Sequence, residues 1–168
     1  MSDKLSRISA NTHKSLSTMA DCQKALVSLC RNTQKDLDIF SHRLDLALYD
    51  QTQLEQAASD LARAHRFAQI RILVIDTQTL IDYGHRLVRL AIRLPSKIQI
   101  RKATEPPETR AAGFCLSDMQ KLLYLASEDD YLGFFDSKAA PQVQNLREAF
   151  KRAWEVGEEE PRFKQFFI

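Results

Sequence analysis

The stretch "QIRILVID", residues 69–76, constrains the fold more than any other. Apart from Arg71 it is apolar on both of its alternating faces. Such a strand is stable only inside a sheet covered on each side, because either face left in water would expose a row of apolar side chains. Helical periodicity flanks it. "DQTQLEQAASDLARAHRFA" (50–68) repeats Leu54, Ala57, Ala58, Leu61 and Ala64, with Asp50 as the expected N-cap. "TQTLIDYGHRLVRLAIRL" (77–94) carries the stripe Leu80, Leu87, Val88, Ala91 and Leu94. Gly84 shares that side, which predicts close approach of one continuous helix to the sheet, and Pro95 ends it.

The alternation extends both ways. Residues 12–32 read as a helix capped by Thr12, and "DLDIFS" (36–41) as a strand with Asp36 and Asp38 on one face. "KIQIRKA" (97–103) is another strand, and "TEPPETRAA" (104–112) is irregular. "GFCLSD" (113–118), "KLLYLAS" (121–127) and "YLGFFD" (131–136) follow with turns too short for a crossover, so they pair antiparallel. "PQVQNLREAFKRAWEV" (141–156) closes the domain as a helix with Val143, Leu146, Phe150 and Trp154 on one face. This order predicts an α/β fold with a mixed, partly parallel central sheet covered by helices on both faces. The expected organisation is a polar N-terminal segment (1–11), a single α/β domain (12–156) and a C-terminal tail (157–168).

At 168 residues the chain suits one domain. A net charge of +2 is too small to assign a nucleic-acid or membrane partner from the total alone. The first fourteen residues lack the apolar core of a secretory signal, and no apolar run approaches the ~18 residues of a membrane helix. Cys22, Cys30 and Cys115 are widely spaced and form no C-x-x-C pair, which suits a reducing cytosol. A cytoplasmic location is therefore expected. No P-loop, G-x-G-x-x-G or G-x-S-x-G motif supports nucleotide binding or serine hydrolysis, and no ligand pair has metal-site spacing. The expectation is no cofactor and no metal. "KDLDIF" and "SEDD" are expected as solvated edges and turn-formers.

The segment "AAGFCLSD" (111–118) gives the order of elements a further meaning. Over residues 33–156 the layout resembles one half of the phospholipase D-like fold. That superfamily carries its chemistry in H-x-K-x-x-x-x-D, on a strand that follows an irregular loop. "AAGFCLSD" matches in position, hydrophobicity and terminal aspartate, with Ala111 at the histidine position and Gly113 at the lysine position. Downstream the family often has G-S-x-N, of which "LASEDD" keeps only Ser127. In that chemistry the histidine attacks phosphorus and the lysine balances charge on the phosphoryl oxygens, which alanine and glycine cannot do. His13, His42, His65 and His85 are followed two residues later by Ser15, Leu44, Phe67 and Leu87, so none makes H-x-K. The resemblance implies a domain without its catalytic residues, of a kind met in uncharacterised bacterial proteins. It would bind a protein partner or an anionic ligand and would pair as a homodimer, since active members need two motifs.

Other residues are singled out by charge. Residues 61–110 hold ten Lys/Arg against four Asp/Glu, a surplus of six. Arg86, Arg89 and Arg93 recur at helical spacing with His85 beside them, a basic surface that can take phosphates, an acidic partner or nucleic acid. Arg71 and Arg101 each interrupt an apolar strand, which predicts a place near a strand end or pairing with a carboxylate such as Asp76 or Asp118. Arg101, Arg110, Asp118 and Ser127 are expected around the vacated pocket as an anion subsite. An enzyme using His85 as its acid–base group is the alternative. In the tail, Phe163, Phe166, Phe167 and Ile168 follow the acidic run Glu158–Glu160, and are expected either to pack back or to dock into a second copy or a partner.

Overall fold

The computed structural model of the protein describes residues 12–167, with the backbone alone for 165–167. Among these residues seven strands form one sheet: β1 (His13–Leu16), β2 (Asp36–Ser41), β3 (Gln69–Val74), β4 (Ile98–Lys102), β5 (Gly113–Ser117), β6 (Lys121–Ser127) and β7 (Leu132–Asp136). Their order across the sheet is β1-β7-β6-β5-β2-β3-β4. β2, β3 and β4 are parallel, whereas β5, β6, β7 and β1 join antiparallel. The expected mixed sheet is present. The helices are α1 (Met19–Arg31), α2 (Leu46–Tyr49), α3 (Thr52–Ala64), α4 (Gln78–Tyr83), α5 (Arg86–Arg93) and α6 (Ala140–Glu155), followed by a 3-10 turn (Pro161–Phe167). None of the described helices is long and apolar enough to cross a membrane.

Strand alternation divides the interior into two cores. Leu37, Ile39, Ile70, Ile72, Val74 and Ile98 point into the larger one, beneath α1, α3 and α5. Phe40, Leu73, Phe114, Leu116 and Leu122 point the other way, under α6 through Val143, Phe150 and Trp154. The fully buried Phe114 and Phe150 each contribute about 2–3 kcal/mol of burial there. α6 covers this second face only in part, so Gln69 and Gln99 on β3 and β4 remain exposed.

Four details depart from the sequence reading. Residues 13–16 form an edge strand on β7 rather than the start of a helix, and α1 begins later, with the Thr18 side chain accepting from the Asp21 N–H at 3.1 Å. Sheet pairing outweighs local helical periodicity there. Asp50 does not cap α3, whose N-cap is Gln51; its carboxylate accepts the Arg86 N–H at 2.8 Å and holds the start of α5. The helix expected over 77–94 is broken in two at Gly84, which adopts φ 71° and closes α4 by donating its N–H to the Leu80 carbonyl. Glycine serves here as a break, not as a flat contact with the sheet.

The tail from residue 157 continues the fold. Lys102 and Glu158 exchange backbone hydrogen bonds of 2.7 and 2.9 Å, and Phe163 buries in the larger core. The side chains of Phe166 and Phe167, Ile168 and the N-terminal segment 1–11 lie outside the described residues. Gly84→Ala is expected to lower stability by about 1–3 kcal/mol, because a side chain at this φ is strained and its Cβ would sit 3.2 Å from Arg89. Urea denaturation of the two proteins measures it.

Candidate functional site

The carboxyl ends of parallel strands form crevices where neighbouring chains diverge. Here the divergence lies between β2, which runs parallel to β3, and β5, which runs antiparallel to β2. A cleft of about 560 Å³ sits at that end, lined by Phe40, Arg43, Asp45, Ile75, Thr109, Ala111, Ser127 and Glu128 among others. Glu128 is its chemical centre. One carboxylate oxygen accepts the Ser41 hydroxyl at 2.6 Å and the other accepts the His42 N–H at 2.9 Å. Burial raises its pKa above the usual carboxylate range, while these two hydrogen bonds pull the other way.

Gly113 explains how that carboxylate fits. A Cβ at residue 113 would lie 3.0 Å from the Glu128 carboxyl carbon, and equally 3.0 Å from the Phe40 carbonyl oxygen. The Glu128 side chain therefore fills the space that a longer residue at 113 would enter. At the rim, Arg43 pairs with Asp129 at 2.8 Å. The Tyr131 hydroxyl donates to Asp45 at 2.8 Å, and that hydrogen bond pushes the tyrosine pKa up to about 12.

The four residues expected as an anion subsite are not gathered in this cleft. Ser127 lines it, and Arg110 is exposed beside Ala111. Asp118 lies at the other end of β5, in the turn to β6, with φ 51°. Its carboxylate accepts the backbone N–H groups of Gln34, Lys35 and Asp36 at 2.8–3.0 Å, so it fastens the chain entering β2. Arg101 is on edge strand β4, where one amino group donates to the Trp154 carbonyl at 2.7 Å and the guanidinium lies 4.5 Å from the Trp154 ring centre.

The partner of Arg71 is neither Asp76 nor Asp118. It is Asp38 on the adjoining strand, bound through two nitrogens at 2.8 and 3.0 Å. Asp38 also accepts from Arg147 of α6 at 3.0 Å, and Arg147 reaches the Asp118 carbonyl. Asp38 is thus not a solvated edge residue but a buried carboxylate held by two cations, which is how a charge survives between sheet and helix. One amino group of Arg147 stays buried with no hydrogen-bond partner among the described residues.

His85 also departs from expectation. It does not belong to a basic surface: its side chain is buried, and Nδ1 accepts the Leu87 N–H at 3.1 Å as the N-cap of α5. Burial lowers its pKa to about 4, against the pull of Asp50 and the Leu44 backbone, so it is neutral at pH 7. Of the stripe, Arg86 contacts Asp50 at 3.4 Å and Arg93 reaches Glu55 at 4.0 Å, while Arg89 is exposed. The three cysteines are buried thiols, with Cys30 pushed up to about 12 by its surroundings. No cluster of three or more metal-ligating side chains occurs among the described residues.

Sheet order and crossovers define a mixed α/β domain, and its fold is similar to that of solved structures that include phospholipase D family members. TrmBL2, an archaeal chromatin protein described with a novel mode of DNA binding, aligns with TM-score 0.66 and 12% identity over 89% of this chain and 53% of its own. The chain therefore spans about half the length of TrmBL2. Nuc from Salmonella typhimurium, a phospholipase D family member, aligns with TM-score 0.60 and 9% identity over 88% of this chain and 97% of its own. NucT from Helicobacter pylori gives 0.56 and 12%, over 88% and 99%. Residues 18–166 match the domain of unknown function DUF7931, and the chain belongs to that family. No curated protein matches it in sequence.

The buried histidine makes a pH prediction. His85 ionises near pH 4 when folded and near 6.5 when unfolded, so between these values the unfolded chain binds more protons. Stability therefore falls as pH drops through this window. Relative to His85→Asn, which keeps a capping side chain but does not titrate, the wild type is expected to lose on the order of 2–3 kcal/mol between pH 7 and pH 4.5. Urea titrations of both proteins at the two pH values measure the difference.

Proposed function

We propose that the protein is a non-catalytic phospholipase D-like domain that acts by binding. The observation that carries this reading is the pairing of Gly113 with Glu128 in the cleft. By the family resemblance, residues 111 and 113 correspond to the nucleophilic histidine and the charge-balancing lysine. Alanine offers no lone pair to phosphorus, and Gly113, with the half-buried Glu128 carboxyl group beside it, supplies no cation for the phosphoryl oxygens that a lysine would attract. A phosphodiester in this cleft would meet a carboxyl group where the chemistry requires a cation. The ligand is then an anion or a protein bound elsewhere on the domain, and two copies pair as a homodimer. Purified protein is expected to give no turnover of bis(4-nitrophenyl) phosphate above a buffer blank. Turnover that Glu128→Gln abolishes would overturn the reading.

A second, more specific reading has its own support. The likeness to a DNA-binding chromatin protein, with the surplus of six cations in residues 61–110, favours nucleic acid as the anionic partner. Neutralising phosphates releases counterions, so such binding falls steeply with salt. Filter binding to DNA is expected to weaken by at least roughly tenfold between low and moderate salt. A flat titration would exclude this reading.

A further inference from the structure

The arginine stripe on α5 is a poor platform for nucleic acid, since Arg86 and Arg93 face carboxylates of neighbouring helices and loops. The opposite face of the sheet offers a better one. Among the described residues, α6 supplies the helical side of the core on that face, and on the outer strands β3 and β4 polar side chains flank the buried Leu73. There Arg71 pairs in register with Gln99, and Leu73 with Arg101. Gln69, two residues before Arg71, is exposed, as is Gln99.

The wall beside this strip is α6, with the aromatic rings that hold the guanidinium groups in place. Arg71 lies 5.1 Å from the Phe150 ring centre and 5.7 Å from that of Trp154, and Arg101 is 4.5 Å from the latter. Stacked guanidinium groups are already ordered, so little side-chain freedom is lost when an anion arrives. Lys151 is exposed on the same helix, one turn after Arg147. At the start of β3, Ala68 buries in the larger core and Phe67 turns outward, 59% exposed, with Arg66 at 5.3 Å from its ring centre. Arg71 and Arg147 are committed to Asp38, so Arg101 and Lys151 are the cations that remain for an anion, and Glu159 lies in a groove with Arg101.

We infer that this strip binds single-stranded nucleic acid. The inference rests on the nucleic-acid reading above and specifies its surface. Each component has a matching partner: Arg101 and Lys151 for phosphates, glutamine amides for base edges, and the Phe67 ring for stacking. Two strands at about 4.8 Å spacing, bounded by a helix, make a flat channel for one strand. They offer no protruding element to enter a duplex major groove about 12 Å wide.

Fluorescence anisotropy of the full chain with labelled oligothymidine, and with a duplex of equal length, tests this at low salt. The single strand is expected to bind more tightly than the duplex. Gln99→Glu and Phe67→Ala alter exposed side chains, so the melting temperature stays unchanged while single-strand affinity falls roughly fivefold or more. Arg89→Glu on α5 should leave affinity within about twofold, as a substitution off the binding face does. Binding that survives Gln99→Glu and Phe67→Ala but is lost in Arg89→Glu would overturn the strip and keep the nucleic-acid reading. A preference for duplex would also overturn the strip. Absence of binding to either form would sink both.

Discussion

A buried carboxylate between two guanidinium groups holds the fold together where sheet meets helix. Asp38 sits with almost no exposure on β2, between β5 and β3, and it takes Arg71 from β3 and Arg147 from α6. Arg147 in turn reaches the carbonyl of Asp118, whose carboxylate anchors the backbone entering β2. Four pieces of chain are thereby tied through one charged network. Such a network is not a large net source of stability, because the charges must be desolvated. Removing one member, however, leaves the others buried without compensation, typically at about 3–5 kcal/mol. The network therefore specifies where α6 lies more than it adds to the free energy of folding.

That placement gives the two sides of the sheet different capacities. One face is closed by helices and built from branched apolar side chains. The other is partly covered by α6, where Arg71 and Arg101 are held by the Asp38 carboxylate and by the Phe150 and Trp154 rings. At the carboxyl ends of the parallel strands, meanwhile, the fold provides a cleft lined by an acid, Glu128.

Much of this was legible in the residues. The apolar run of β3, the alternation of β2 and β4, the short turns after β5 and β6, and the amphipathic α6 each follow from periodicity, which acts over a few residues. Local propensity failed at residues 12–16, because an edge strand is decided by its partner, here β7. It failed again at Gly84, whose helical neighbours concealed a break. His85 read as part of a cationic surface because its neighbours in sequence are arginines, yet its ring points into the interior.

Sequence alone determined that the chain forms a mixed α/β sheet with helices on both sides, since hydrophobic burial dictates which periodic segments must be covered. It also determined that residues 111 and 113 carry no side chain able to act on phosphorus. Only the tertiary structure decided which charges meet. Gly113 and Glu128 are brought together by the register of β5 on β6, and Asp38 and Arg147 by the crossing of α6 over the sheet. Contacts of that range depend on how elements pack in space, and a short-range pattern of residues carries no record of it.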